Sequence, residues 1–474
     1  MKHKLPDINQ EFSEWYHEIV AQAELADHAP VRGCMVVRPY GCALWERIQA
    51  IVDQKIKATG HHNALFPLFI PESFLKKEAD HVAGFSPELA VVTHAGGKEL
   101  EEPLVVRPTS ETIIHYMFAR WLTSWRDLPL KINQWANVVR WEMRPRAFLR
   151  TTEFWWQEGH TAHETAEEAD EETHLMINEY RDLIENYLAI PVFCGKKSEN
   201  EKFAGALMTL TLEAIMPDGK ALQMCTSHRI SQTFAHAFDM KFQDRQGALS
   251  YPHLTSWAVT TRAIGALVMA HGDQKGLVIP PRIAPIQVVI IPISNDANRT
   301  VVMEYSLALK KQLDEAGVRT QIDYDEQKTP GAKFYHWELR GIPLRIEIGQ
   351  RDIEKNAATV VERVEGKKQS VGIDGIVDMV QKTLEATQEI LFRRAQERRA
   401  GQEMVVEMLN TIISRIENHR GYFKTSWCKE CNCETVLKEH KASIRCLLDT
   451  PPTYASCFSC GKDSITDIIV ARSY

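Results

Sequence analysis

The sequence of 474 residues has little that would tie it to a membrane or an oxidising compartment. No window approaches the ~20 consecutive apolar residues of a membrane span. The opening Met1-Lys2-His3-Lys4-Leu5-Pro6 lacks the apolar core of a secretory signal. There is no internal repeat and no low-complexity tract, so neither a repeat array nor a compositionally biased scaffold is expected. No glycine-rich loop leads into Lys-Ser or Lys-Thr, which argues against a P-loop and leaves arginines to meet any phosphate. No Ser-His-Asp grouping stands out, so a nucleophilic side chain is not indicated. The net charge of −7 supplies no global basic field, and a nucleic acid would have to meet a local patch. A cytoplasmic protein with no membrane association is expected, and the length calls for two or three domains.

Cysteine is sparse except at the end. Six of the ten cysteines (Cys428, Cys431, Cys433, Cys446, Cys457 and Cys460) crowd the last segment. A secreted disulfide framework would spread them along the chain, whereas clustered thiols in a reducing cytosol read as a metal site. Two thiolate pairs separated by a connector suit a closed, tetrahedral structural zinc site. Spacing alone selects Cys428 and Cys431 as the first pair.

The most informative stretch runs from Arg140-Trp141-Glu142 to Arg150-Thr151-Thr152-Glu153-Phe154-Trp155-Trp156-Gln157-Glu158-Gly159-His160. On paired strands, Arg140 and Glu142 share one face, and Arg150, Phe154 and Glu158 repeat at even spacing on another. The set offers an arginine for a phosphate, a carboxylate for an amine and an aromatic ring for a base. A solvated hairpin with cross-strand ion pairs has the same charges. The flanking Trp135, Val138, Val139, Trp141, Phe148, Trp155 and Trp156 instead suggest a central strand pair, where buried charges need partners or ligands.

The order Arg-x-Glu, loop, Arg-x-x-x-Phe-x-x-x-Glu resembles motif 2 of the class II aminoacyl-tRNA synthetases. Further segments resemble the prolyl-tRNA synthetases in order and spacing: Arg107-Pro108-Thr109-Ser110-Glu111, Lys202-Phe203-Ala204-Gly205, Thr226-Ser227-His228, and Ser256-Trp257 with Thr260-Thr261-Arg262. The resemblance covers essentially the whole chain. It implies proline–tRNA ligation through prolyl-adenylate, with ATP and Mg²⁺ as the nucleotide and its cation. Arg140, Glu142 and Arg262 are then the catalytic set. Arg150, Thr151, Phe154, Gln223, Thr226 and Thr260 join them around ATP. Thr109, Glu111, Arg140, Trp156, Glu158, His160, Phe203, His228 and Ser256 surround proline.

At the carboxyl end the resemblance is to the archaeal and eukaryotic-like subgroup, and it implies Cys428, Cys433, Cys457 and Cys460 as zinc ligands. It also implies that the terminal Tyr474 packs towards the active site. Gly60-His61-His62-Asn63-Ala64-Leu65-Phe66-Pro67-Leu68-Phe69 resembles motif 1, which implies a homodimer. The interval from Glu158 to Ser256 is filled by matched segments and leaves no room for a hydrolytic insertion. Cys225, Ala258 and Arg229 depart from the family pattern; Cys225 with His160 and His228 could suggest a zinc ion, but proline needs no side-chain chelation, and a small buried thiol is the better reading. A related synthetase for threonine, serine or glycine, or a synthetase-like RNA-binding protein without activity, are the rival readings.

The expected architecture has three parts. Residues 1–284 form an α+β catalytic domain built on the antiparallel sheet of class II synthetases, with helices such as Asn9–Leu25 and Thr165–Leu188 and strands such as Ala64–Ile70 and Leu104–Arg107. Pro280-Pro281 and Pro285 mark its end. Residues 285–390 alternate strand and helix as a small α/β domain, which the resemblance makes an anticodon-binding domain for tRNA(Pro). Glu347 and Arg351 are its candidate base or backbone contacts. Residues 391–474 carry helical stretches over Leu391–Arg399 and Met404–Asn418 and then a small zinc-binding α+β module.

Overall fold

The computed structural model describes residues 4–77, 89–142 and 144–474. Its centre is an eleven-stranded sheet. From one edge the order is Glu403–Val405, Tyr422–Trp427, Thr466–Ala471, Ser443–Leu447, Val192–Lys196, Ala206–Ile215, Ala221–Ile230, His253–Thr260, Glu153–His163, Leu130–Val139 and His62–Asn63. All its neighbours pair antiparallel except the outermost pair at each edge. The carboxyl-terminal strands therefore continue the catalytic sheet, joined where Leu447 pairs with Lys196.

Helices cover one face of this sheet for reasons visible in their sequences. Ala166–Asp182 starts at a capping box in which Thr165 and Glu168 satisfy each other's backbone donors. Its Met176, Ile177 and Tyr180 enter the core at helical spacing. Arg262–His271 is apolar all round after its first residue, and Ala263 through Ala270 are buried. Such a helix has to lie between other layers. Here Trp15, Tyr16 and Ile19 of Phe12–Gln22 belong to the same core.

A five-stranded sheet follows, in the order Thr320–Ile322, Val288–Ile293, Leu344–Gly349, Ala357–Glu362 and Lys368–Gly372. The first three strands are parallel and the last two antiparallel. It has its own apolar core, including Val288, Ile290, Leu344 and Ile346. These observations bear out the expected architecture: an α+β part on a large, mostly antiparallel sheet, a small α/β part, and a cysteine-bearing α+β end.

Four local expectations need correction. The single strand at Ala64–Ile70 is instead His62–Asn63 and Phe69–Pro71. Between them lies Pro67, which lacks a donor for a ladder, and Arg107 Nη1 takes the Phe66 carbonyl at 2.7 Å. Of the two late helical stretches, Leu391–Arg399 is the end of one long helix, Ile373–Gly401, and Met404–Asn418 is instead the strand Glu403–Val405 followed by the short helix Leu409–Arg415. Ile376, Val380, Leu384, Leu391 and Ala395 keep one buried stripe going along its length.

Arg140, Glu142 and Arg150 lie outside the strands, because pairing stops at Val139 and Glu153 and the described residues between them form a loop around Pro145. Leu130–Val139 is the last strand but one, rather than central, and Trp141 and Trp155 keep exposed faces.

Candidate active site

One cavity of about 770 Å³ opens over the sheet. Its floor comes from Glu153–His163, Ala206–Ile215, Ala221–Ile230 and His253–Thr260, and its rim from the 140–152 loop. Every residue singled out above for nucleotide or proline lines it. Strand register explains part of this convergence. Ser256 pairs with both His160 and His228, and Ala258 pairs with Glu158 and Thr226, so residues distant in sequence share two rows across three strands.

At one end the cavity is cationic. Arg140 Nε holds the Pro108 carbonyl at 2.9 Å, and its guanidinium lies 5.5 Å from the ring centres of both Phe154 and Trp156. Arg262 Nε and Nη1 donate to the Leu149 and Gln223 carbonyls at 3.2 and 3.1 Å. Burial, with the Arg140 charge next in weight, pushes the Arg262 pKa down to about 10. It remains a cation at neutral pH. Glu142 pairs with Arg150 across the loop and accepts the Arg144 amide at 2.7 Å. Thr151 Oγ1 donates to the Glu153 carbonyl at 2.7 Å, which closes the loop onto its strand.

The other end is anionic and more enclosed. Glu158 is almost fully buried and accepts from Ser110 Oγ at 2.6 Å and Gln134 Nε2 at 2.8 Å. It faces His160 Nε2 at 3.2 Å. Burial alone would raise the Glu158 pKa, but the His160 contact and these donors hold it below the usual value. Burial would lower that of His160, but the hydrogen bond to Glu158 and the charges of Glu111 and Glu158 hold it above. Thr109 Oγ1 donates to Glu111, which is also buried.

The walls are Trp156 and Phe203, whose ring centre is 4.7 Å from that of His228. His228 bridges Thr209 and Thr226 at 2.9 Å on its two ring nitrogens, and burial, reinforced by His160, pushes its pKa down to about 3. It is therefore neutral. Ser256 Oγ and Trp156 Nε1 are buried without a protein hydrogen bond among the described residues. Polar atoms left so in a cavity wall can bind a polar ligand.

Several lining residues carried no role in the sequence reading: Arg144, Arg146, Lys197, Glu201, Lys220 and Arg445. For the first two, the Arg144-Pro145-Arg146 run inside the loop was the available signal. Lys197 and Glu201 lie in the connection after Val192–Lys196, Lys220 just before Ala221–Ile230 and Arg445 on Ser443–Leu447, and these had none. Tyr474 also lines the cavity, its ring lying 5.0 Å from Lys220 Nζ and 5.5 Å from the Arg146 guanidinium. Cys225 is a buried thiol raised by desolvation. It belongs to neither of the residue groups that could hold a metal among the described residues, so the zinc reading with His160 and His228 gains no support.

Those two groups are Glu111, Glu158 and His160, and the quartet Cys428, Cys433, Cys457 and Cys460. In the quartet, Cys428 Sγ is 3.8 Å from Cys433 Sγ and 3.6 Å from Cys460 Sγ, and all four sulfurs fall within 4.8 Å of one another. Four thiols at that spacing fit a tetrahedral zinc ion with no position left open. Cys431 is exposed and Cys446 lies buried in a neighbouring cluster.

Residues 92–271 match the family described as the tRNA synthetase class II core domain (G, H, P, S and T). Residues 287–383 match an anticodon binding domain, and 409–474 a prolyl-tRNA synthetase carboxyl-terminal domain. The chain is 50% identical over 475 residues to the proline–tRNA ligase of Roseiflexus sp. (strain RS-1), covering 98% of each. It is 48% identical over 478 residues to that of Borreliella burgdorferi (strain ZS7), again covering 98% of each. The crystal structure of prolyl-tRNA synthetase from Cryptosporidium parvum, complexed with halofuginone and AMPPNP, superposes with a TM-score of 0.93 at 40% identity and covers 99% of each chain.

Proposed function

We infer the chemistry of this cavity from one premise: the chain belongs to the prolyl-tRNA synthetases, enzymes of class II. It is a proline–tRNA ligase that uses ATP. The observation that carries the detailed reading is the single cavity with a cationic end at Arg140 and Arg262 and an anionic end at Glu111 and Glu158. Proline brings an ammonium and a carboxylate, and ATP brings phosphates. The charges therefore order the two substrates with their reacting groups meeting at Arg140.

The proline carboxylate is the nucleophile. It attacks the α-phosphorus in line, and pyrophosphate leaves. Arg140 reduces the repulsion between the two anions and stabilises charge on the α-phosphate oxygens as it grows. Arg262 holds the terminal phosphate, Phe154 stacks on adenine, and Glu142, Arg150, Thr151, Gln223, Thr226 and Thr260 fix the nucleotide. Mg²⁺ neutralises phosphate charge when bound. Glu111, Thr109 and Glu158 anchor the ammonium. Trp156, Phe203, His160, His228 and Ser256 enclose or brace the ring. A hydroxyl of the tRNA 3′ end then attacks the prolyl carbonyl and displaces AMP.

The wider assignments also belong to this reading. Residues 1–284, 285–390 and 391–474 act as catalytic, anticodon-binding and linker-plus-zinc units, the last with the cysteine quartet as its zinc site. The subgroup is the archaeal and eukaryotic-like one, and Tyr474 at the cavity supports that placement. The strands and helices that fill the interval from Glu158 to Ser256 support the reading that the chain carries no hydrolytic insertion. The protein works in the cytoplasm as a homodimer. Among the described residues no helix is long and apolar enough to cross a membrane. Acylation of purified tRNA(Pro) with labelled proline tests this reading. Proline must be esterified in an ATP-dependent way, and hydrolysis of mischarged Ala-tRNA at a rate comparable to charging would contradict the absence of an editing domain.

A further inference from the structure

The helix Cys431–Glu439 holds Cys433 of the thiol quartet and, beside it, Glu434. Glu434 is fully buried, yet no cation lies within ion-pair distance of it among the described residues. Its two oxygens reach out of the carboxyl-terminal module into the catalytic domain. Ser198 Oγ donates to Oε1 at 2.6 Å, and Asn200 Nδ2 donates to Oε2 at 3.0 Å. A buried carboxylate is expensive unless its lone pairs are satisfied, so this contact fixes both sides of the joint. Lys438 of the same helix lies 3.9 Å from Glu201.

The segment so gripped runs directly into the cavity. Lys197, Glu201 and Phe203 line it, on either side of Ser198 and Asn200. Phe203 is held by its amide, which donates to Thr209 Oγ1 at 3.0 Å, and its ring faces His228. Thr209 Oγ1 is in turn within 2.9 Å of His228 Nδ1. A continuous path of packed and hydrogen-bonded groups thus leads from the thiol quartet through Glu434 to one wall of the proposed proline pocket. The segment 198–203 has coil and turn geometry, so the surrounding sheet ladder does not fix it.

We propose that Glu434 is a positioning residue for amino-acid binding: it ties the cysteine module to the 198–203 segment and so sets the place of Phe203 in the pocket. The carboxyl-terminal module is then a part of the amino-acid site, acting through the carboxylate next to one of its cysteines. This rests on the assignment of the Phe203 end of the cavity to proline. Nucleotide binding, at the Arg140 and Arg262 end, does not depend on the contact.

A double-mutant cycle in proline-dependent ATP–pyrophosphate exchange tests it, using the full-length chain with Glu434→Ala on one side and Ser198→Ala with Asn200→Ala on the other. Each side alone should raise the KM for proline about tenfold, with the KM for ATP changed less than about twofold. Combining the two should add little more, since both remove the same contact. Zinc content should stay at the parental value in all variants. If Glu434→Ala folds poorly, Glu434→Gln retains the acceptor for Ser198 and should give a smaller rise in the same parameter.

The proposal fails if proline and ATP KM rise together, if neither moves, or if the two sides act additively. Absence of any proline-dependent exchange in the parent protein would instead overturn the assignment of the pocket.

Discussion

Arg262 has few alternatives for its charge. It is half-buried and held by two backbone carbonyls, with no carboxylate within ion-pair distance among the described residues, so the cation is positioned without being neutralised. Replacing it with alanine should lower kcat for adenylate formation by about 10²–10³, the usual cost of removing a preorganised charge from a transition state. Steady-state pyrophosphate exchange measures this. Arg262→Lys should recover only part, since a point charge cannot hold both carbonyls and a phosphate.

The Glu158–His160 pair makes a pH-dependent contribution. The His160 pKa is raised on folding, so its stabilisation is full below its unfolded value near ~6.5 and is lost as pH rises through the folded value. The Glu158 pKa is lowered, so its stabilisation is present above its unfolded value near ~4.3 and is lost as pH falls through the folded value. Thermal unfolding should therefore show the Tm declining on the alkaline side through the His160 titration. His160→Gln should flatten that limb, and an unchanged alkaline slope would assign it elsewhere.

At the scale of elements, the strand Glu153–His163 depends on Gly159. A Cβ there would sit 2.0 Å from the Trp257 ring on the neighbouring strand. Trp257 is buried and its edge meets His61 at 5.0 Å between ring centres, so it has little room to move. Gly159→Ala should cost about 1–3 kcal/mol, as overpacking does, with a rise in proline KM because Glu158 and His160 flank the site. Thermal unfolding and exchange kinetics together check both effects. For the cysteine quartet, mass spectrometry under native conditions should find one zinc per chain. Cys457→Ser or prolonged chelation should lower the Tm, because metal-binding energy is folding energy.

Legibility at this scale divided by mechanism. That Arg140, Glu142, Arg150, Phe154, Glu158 and His160 would meet in one place was readable, because charged and aromatic side chains in that order stand out against apolar flanks. The strands extend less far than their charge pattern suggests, since alternation at Arg140, Glu142 and Arg150 mimics a two-residue period, while pairing ends at Val139 and Glu153. Lys197 and Arg445 were not readable, because nothing local marks a lysine after a short strand or an arginine in a distant module. They reach the cavity through tertiary pairing of Val192–Lys196 with Ser443–Leu447.

For the whole molecule, the strand-by-strand continuity of the carboxyl-terminal part with the catalytic sheet was likewise invisible in sequence, although the cysteine spacing marked its content. The fold class followed from alternation and from the motif resemblance, and the 29-residue helix Ile373–Gly401 shows how one buried stripe can carry a chain from one unit to the next.

Around motif 1, Leu65 is 86% exposed, and Leu68 and Phe69 are also uncovered. Exposed apolar residues grouped in this way suit an interface. On the homodimer reading, Leu65→Asp should weaken self-association, seen as a concentration-dependent shift toward monomer in sedimentation velocity. A parent protein that sediments as a monomer at micromolar concentration would contradict the dimer.

The central claim is that one cavity pairs ATP with proline and no other amino acid as efficiently. Amino-acid-dependent ATP–pyrophosphate exchange, run across all twenty amino acids, tests it most directly. The account predicts a maximum with proline and weaker exchange with the smaller alanine and cysteine, which an apolar pocket rejects by only ~1–3 kcal/mol per methylene. A maximum with threonine, serine or glycine, or no exchange with any amino acid, would contradict it.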